Sequence, residues 1–193
     1  MDALEAIGAR RSIGRLAAPA PSDAELARML EAGARAPDHG ELRPWRFTVL
    51  RDEAMEAFGT VLEDAYRARC RRAGTEVVEA KAAKERTKLG RAPLVVVVGA
   101  VCDPASKIPW IEQFAAAAAA AQNVLVAATA LGFGSMWRTG DPCYDDGVKA
   151  ALGLGADDAL VGFLYLGTAT AEARAAKPPR RPDLIGLVRE WTP

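Results

Sequence analysis

A single histidine and three cysteines are nearly all that this chain of 193 residues offers a soft metal ion. Cys70, Cys102 and Cys143 are odd in number and far apart, with no Cys-x-x-Cys and no Cys/His cluster. Neither a zinc centre nor a disulfide framework is expected, and a reducing, cytoplasmic setting is the simple reading. An excess of charge is missing too. Lys and Arg total 25 against 25 for Asp and Glu, which lends nothing to a nucleic-acid partner. Residues 1–7 lack the basic and apolar regions of a secretory signal. The motif record is equally empty. There is no GxxxxGK[ST], no GxSxG, no HExxH, and no GxGxxG between a strand and a helix. P-loop, α/β-hydrolase, zincin and Rossmann chemistry are therefore disfavoured. No internal repeat is present.

One stretch imitates a membrane span, residues 114–131. It is mostly alanine, which contributes little transfer energy, and Gln122 and Asn123 would lie mid-bilayer. A buried helix of a soluble protein, with no membrane partner, is expected instead. The run of small side chains allows close helix approach, which suits a helix at a crowded centre or at a dimer interface.

What is present organises the chain. Residues 2–10 read as a short helix. Ser22 and Glu25 form a capping box that opens a second helix, ending near Ala36 before Pro37. Residues 46–50 read as a strand and residues 52–74 as an amphipathic helix. A charged helical segment over residues 75–89 is expected to be exposed and mobile. The β-branched run at residues 94–101 predicts a central strand buried on both faces. The Ala-rich helix follows from about residue 110 and closes at Gly132. Strands are expected at residues 133–137 and 159–166, with a short helix at 145–152 between them. From Thr168 onward a proline-containing tail is expected to be extended and to form no core of its own. This order predicts one α+β domain with a central sheet wrapped by helices.

Three segments stand out from ordinary core and surface. Arg10-Arg11-Ser12 places two guanidiniums and a hydroxyl at a helix end, and the planar donor fork of Arg matches phosphate. A solvated basic turn has the same composition. Arg35 and His39 flank Ala36-Pro37-Asp38, where Pro37 rigidifies the backbone. A lone His is more often structural or a surface residue than catalytic. Pro44-Trp45 enters a strand, and Trp45 reads as a core anchor. Residues 132–140, Gly-Phe-Gly-Ser-Met-Trp-Arg-Thr-Gly, could turn backbone amides near Thr139 and Gly140 toward a ring edge, or be an ordinary strand with a turn.

Taken in order, these segments resemble the FMN-dependent nitroreductase family, in its short YdjA-type branch of NAD(P)H nitroreductases. The resemblance rests on Arg10-Arg11-Ser12, Arg35-Ala-Pro-Asp-His39, Pro44-Trp45, Leu131-Gly-Phe-Gly with Trp137-Arg-Thr139, and Val161-Gly-Phe-Leu-Tyr-Leu-Gly167. It implies a nitroreductase-like fold with a mainly antiparallel sheet, in an intertwined homodimer with an extended C-terminal tail. It implies FMN bound by Arg10, Arg11, Ser12, Trp137, Arg138 and Thr139 of one subunit, with Arg35 and His39 from the other. Residues 127–132 match a stretch associated with the nicotinamide. NADH or NADPH would donate hydride to flavin N5, and a nitroaromatic, quinone or similar small-molecule acceptor would remove it in a ping-pong sequence. No dedicated catalytic side chain and no metal are implied. Same-fold enzymes that dehalogenate, oxidise azolines or destroy flavin, and a binding module without turnover, remain open. The chain departs from the broader family at Gly14, where many members carry Lys near flavin N1. Arg15 or Arg138 would have to replace that cation. Arg180-Arg181-Pro182 matches a phosphate-binding Arg of longer members or a solvated basic tail.

Overall fold

The computed structural model describes residues 1–176 and 182–192. Its strands are β1 (Leu16–Ala17), β2 (Trp45–Leu50), β3 (Leu94–Ala100), β4 (Gly134–Arg138) and β5 (Ala159–Ala169). The helices are α1 (Ala3–Ala9), α2 (Asp23–Gly33), α3 (Glu53–Ala73), α4 (Glu79–Thr87), α5 (Trp110–Ala130), α6 (Asp146–Ala151) and α7 (Ala171–Ala175). Every pair in the five-stranded sheet is antiparallel. β5 lies beside β3, β3 beside β2, and β4 pairs with β5. The far end of β5 takes β1.

The β-branched run does what its pattern predicts. Leu94, Val96 and Val98 face one core with α2 and α5, while Val95 and Val97 face a second with α3 and α6. The sheet is thus a middle layer buried on both sides. α5 lies at the centre of the first core through Ala116, Ala117, Ala120, Ala121, Val124, Leu125 and Ala128. It ends as its sequence predicts: Gly132 has φ +87°, and the Phe133 amide donates to the Ala128 carbonyl at 2.8 Å. Trp45 is buried against this core, as an anchor should be. The Ser22 capping box is formed.

Four sequence expectations need correction. The charged segment at residues 75–89 is largely exposed as expected, but it is anchored on one side: Ala82 and Leu89 are fully buried. α3 and α4 approach so closely that a Cβ on Gly59 would lie 2.1 Å from the Arg86 carbonyl oxygen. Two of the segment's charges pair with α3, Glu79 with Arg67 and Arg86 with Glu63. α2 ends at Gly33, three residues before Ala36. A fifth strand, Leu16–Ala17, is too short for periodicity to reveal. β5 runs on to Ala169 because β1 pairs with Thr168 and Ala169, and α7 then opens on a Thr170 cap. Beyond it, Leu184, Ile185, Leu187, Val188 and Trp191 are all exposed, so the described tail forms no core of its own.

Asp145 joins α3 to α6 and is only 3% exposed. It accepts from Arg69 at 3.0 Å and Arg72 at 3.3 Å, and caps α6 through the Gly147 and Val148 amides. Burial opposes its charge, but Arg69 and the two amides outweigh burial and hold the carboxyl below its ordinary value. A depressed folded value contributes stability at neutral pH that is lost as pH falls through it. Asp145→Asn is therefore expected to cost about 3 kcal/mol at pH 7 in urea titrations. The difference from wild type should shrink below about pH 4. A pH-independent difference would show that the charge is not what stabilises.

Candidate functional site

The Arg10–Ser12 segment leaves α1 and runs beside β4. Ser12 forms a parallel bridge with Ser135, and the Ile13 amide donates to the Ser135 carbonyl at 3.0 Å. Ser135 therefore turns its backbone polar groups away from β5. By the two-residue alternation of a strand, Trp137 does the same, and Thr139 continues that side beyond the end of β4. β4 has β5 on one side, and on the other only this bridge at its start. An open backbone edge therefore extends toward Thr139, about 13 Å beyond Ser135 at the usual rise. The first triplet and Trp137-Arg138-Thr139 thus lie at two ends of one strip.

The side chains along this strip differ in commitment. Arg10 is half-buried, and its guanidinium has no hydrogen-bond or ion-pair partner among the described residues. The Ser12 hydroxyl is exposed. Arg11 turns to the tail: its guanidinium donates to the Ala176 carbonyl at 2.9 Å and to the Ala173 carbonyl. Ser135 is 1% exposed, and its Oγ is buried without a partner among the described residues. Such an orphan group in a folded protein calls for an explanation, and a ligand-binding segment supplies one. Arg138 is half-buried, with its Nε 3.4 Å from Met136 Sδ. Arg15, the other candidate for a flavin-facing cation, is exposed. Arg180 and Arg181 lie outside the described residues.

Trp137 is held by an irregularity that sequence does not announce. The β3–β5 register shifts at Val98/Gly99, leaving Val161 as an extra residue in β5. The Val161 carbonyl accepts the Trp137 indole N–H at 3.2 Å. Gly162 lies directly beneath that ring, where a Cβ would come within 2.3 Å of Nε1. Beside the ring opens a cavity of about 480 Å³ lined by Trp110, Phe114, Ala118, Thr139 and Tyr144, among others. Trp110 and Phe114 stack at 5.3 Å. The cavity is aromatic and mostly apolar, as a pocket for a planar ligand would be. Cys143 on its wall is buried, which pushes the thiol up to about 11 and keeps it protonated. At the other end of β4, Thr129 and Gly132 line a second cavity of about 350 Å³ with Arg11, Ser135 and Arg174.

Arg35 and His39 lie elsewhere. Arg35 follows α2, is exposed, and pairs with Glu31 at 3.2 Å. His39 opens a 3₁₀ turn, His39–Glu41, and its Nδ1 stands 2.7 Å from Glu112 Oε2 in the first turn of α5. Trp110, Phe114 and Ala118 share one face of α5 at four-residue spacing, whereas Glu112 falls roughly opposite. Within one chain, then, His39 and the aromatic cavity lie on opposite sides of α5. The segment around His39 is also strained: Glu41 and Arg43 have φ of 54° and 48°, values that cost energy for residues with a side chain.

The model of the nitroreductase family matches residues 7–168. The chain belongs to the nitroreductase family. The Escherichia coli protein named putative NAD(P)H nitroreductase YdjA is 42% identical over 173 residues, covering 90% of this chain and 91% of that one. A nitroreductase-like family protein from Bacillus cereus superposes with a TM-score of 0.81 over 99% of this chain and 96% of its own, at 22% identity. A putative nitroreductase from Desulfovibrio desulfuricans, solved in complex with FMN, has a TM-score of 0.70 and 27% identity, covering 99% of this chain and 98% of that one. The fold is thus that of the nitroreductases, α+β with a mainly antiparallel sheet.

Sequence reasoning missed Ser135, Glu112 and the Trp110–Phe114 wall. Ser135 has no signal beyond its place in a glycine-punctuated strand. Glu112 joins His39 across 73 positions, and nothing local links them.

Proposed function

We propose that this chain is an FMN-dependent oxidoreductase that works as a homodimer and takes NADH or NADPH as reductant. The observation that carries the reading is the Ser12–Ser135 bridge, which lines Arg10 and Ser12 up with the open β4 edge ending in Trp137-Arg138-Thr139. The residues present fit FMN. Arg10 and Ser12 offer donors to a phosphate, and the Thr139 amide offers one to a ring edge. Trp137, locked by Val161 and Gly162, walls the ring site, and Arg138 or Arg15 supplies positive charge nearby. Arg11 joins through its backbone while its side chain secures the tail. When FMN is bound, the chemistry it supplies is hydride transfer from NAD(P)H to N5 and onward to a nitroaromatic, quinone or similar acceptor, in ping-pong order. The chain binds, orients and shields; no side chain is required as acid or base.

A second copy supplies Arg35 and His39. The position of His39 across α5 from the cavity supports this. It also agrees with the outward Ile111 and Ala115 of α5 and the exposed Leu4 and Ile7 of α1, which leave apolar surface for a partner. The whole chain acts as one domain, with the exposed apolar residues of segment 182–192 laid on the partner. A cytoplasmic location is consistent with three free, buried cysteines.

The test is steady-state oxidation of NADH and NADPH by the purified protein, with a nitroaromatic and a quinone varied in turn. Parallel lines in double-reciprocal plots and about one FMN released per subunit on denaturation are expected. FAD instead of FMN, or stoichiometric FMN without turnover on any acceptor, would sink the oxidoreductase reading.

A further inference from the structure

The contact between His39 and Glu112 has no part in the reading so far. It is short, 2.7 Å between Nδ1 and Oε2, and both partners stand on constrained backbone. On one side, Asp38 accepts the Arg43 amide at 2.5 Å and closes the turn that carries His39. Gly40 in that turn has φ +74°, and a Cβ there would lie 2.5 Å from Ile108 Cδ1. The turn is therefore pressed onto the segment that leads into α5. On the other side, Gln113, next to Glu112, is buried and ties down that same segment. Its Oε1 accepts the Asp103 amide at 2.8 Å, and its Nε2 donates to the Asp103 and Ile108 carbonyls.

An ionised carboxylate only accepts hydrogen bonds. Facing Glu112 Oε2, His39 Nδ1 must carry the proton. In the neutral ring Nε2 is then bare and points away from Glu112. We propose that Glu112 is a positioning residue: it fixes the Nδ1–H tautomer and the ring orientation of His39, so that Nε2 is the atom offered to the flavin of the partner subunit. The consequence is specific. With Nδ1–H committed to Glu112, Nε2 is the ring atom left for the ligand, and a ribityl hydroxyl suits it because a hydroxyl can both donate and accept. A phosphate oxygen, which only accepts, suits the guanidiniums instead. This inference rests on the FMN reading above, and its tests separate the two.

Because the chain has one histidine, the imidazole nitrogens of the whole protein give a single pattern in a long-range proton–nitrogen correlation spectrum. At about pH 9, above the ordinary imidazole range, uniformly ¹⁵N-labelled protein as isolated should show a protonated Nδ1 and a bare Nε2. Glu112→Ala should move the pattern toward the Nε2–H form, and Glu112→Gln, which keeps an acceptor oxygen, should not. A wild-type Nε2–H tautomer, or a pattern indifferent to Glu112→Ala, overturns the proposal. A double-mutant cycle on FMN affinity tests the flavin half. Glu112→Ala should weaken FMN about two- to tenfold with His39 present and leave it unchanged in a His39→Ala background. Additive losses would mean that Glu112 acts independently of His39. A tautomer set by Glu112 with no change of FMN affinity in either single variant would remove His39 from the flavin, while FMN stoichiometry in the wild type would still stand on its own.

Discussion

Arg10→Ala is expected to weaken FMN binding about ten- to a hundredfold, the loss of one charge-assisted contact worth about 1.5–3 kcal/mol. The reason is its unusual state. A half-buried guanidinium with no partner among the described residues, at the Ser12–Ser135 bridge, carries a desolvation cost that a bound anion would offset. Arg71, exposed in the last turn of α3, is the comparison, since removing an exposed charge changes little. Titration of FMN into the apo forms by flavin fluorescence measures both. Equal losses at Arg10 and Arg71 would mean that the phosphate lies elsewhere. Arg138→Ala should also weaken FMN, through lost positive charge near the ring end of the strip.

Removing residues 182–193 is expected to weaken the dimer about a hundredfold or more, and FMN binding with it. The segment displays Leu184, Ile185, Leu187, Val188 and Trp191 to solvent, an arrangement a lone chain has no reason to keep. Each such side chain gains about 1.5–3 kcal/mol when fully buried, less the cost of ordering it, so even partial burial on a partner exceeds the loss named here. Arg11 adds a link, because its guanidinium holds the carbonyls at the end of α7, from which the tail departs. Sedimentation across a range of concentrations, with and without the segment, reads the dimer directly. A truncated chain that remains a tight dimer and keeps its flavin would show that the interface lies on α1 and α5 alone. A full-length monomer that binds FMN tightly would remove the two-chain site altogether.

Much of the fold was legible in the amino-acid sequence because its causes are local. The capping box at Ser22 and Glu25, the β-branched run of β3 and the closing glycine of α5 each act within a few residues, and each appears where it was read. Legibility ended where the cause was distant. The two-residue β1 exists only because the end of β5 is there to pair with it. The charged α4 is largely exposed as read, but its one buried side is set by α3, which pairs with Glu79 and Arg86 and packs around Ala82. The bulge that frees the Val161 carbonyl for Trp137 is a matter of register between two strands, and neither strand carries a mark of it.

The same division runs through the site. The candidates for its chemistry were legible in the sequence: residue type decides who can hold a phosphate or donate to a ring, and Arg10, Ser12, His39 and the Trp137-Arg138-Thr139 run stand out as candidates by type and order. What each can do was decided only by tertiary structure. The Arg10 guanidinium has no partner among the described residues while its neighbour Arg11 is engaged by the tail, although the two are identical in sequence terms. His39 meets Glu112 across the fold, and α5 separates it from the aromatic cavity of its own chain. The physical reason is that hydrogen-bonding capacity is a property of a side chain, whereas its availability depends on which groups from distant parts of the chain have already claimed it.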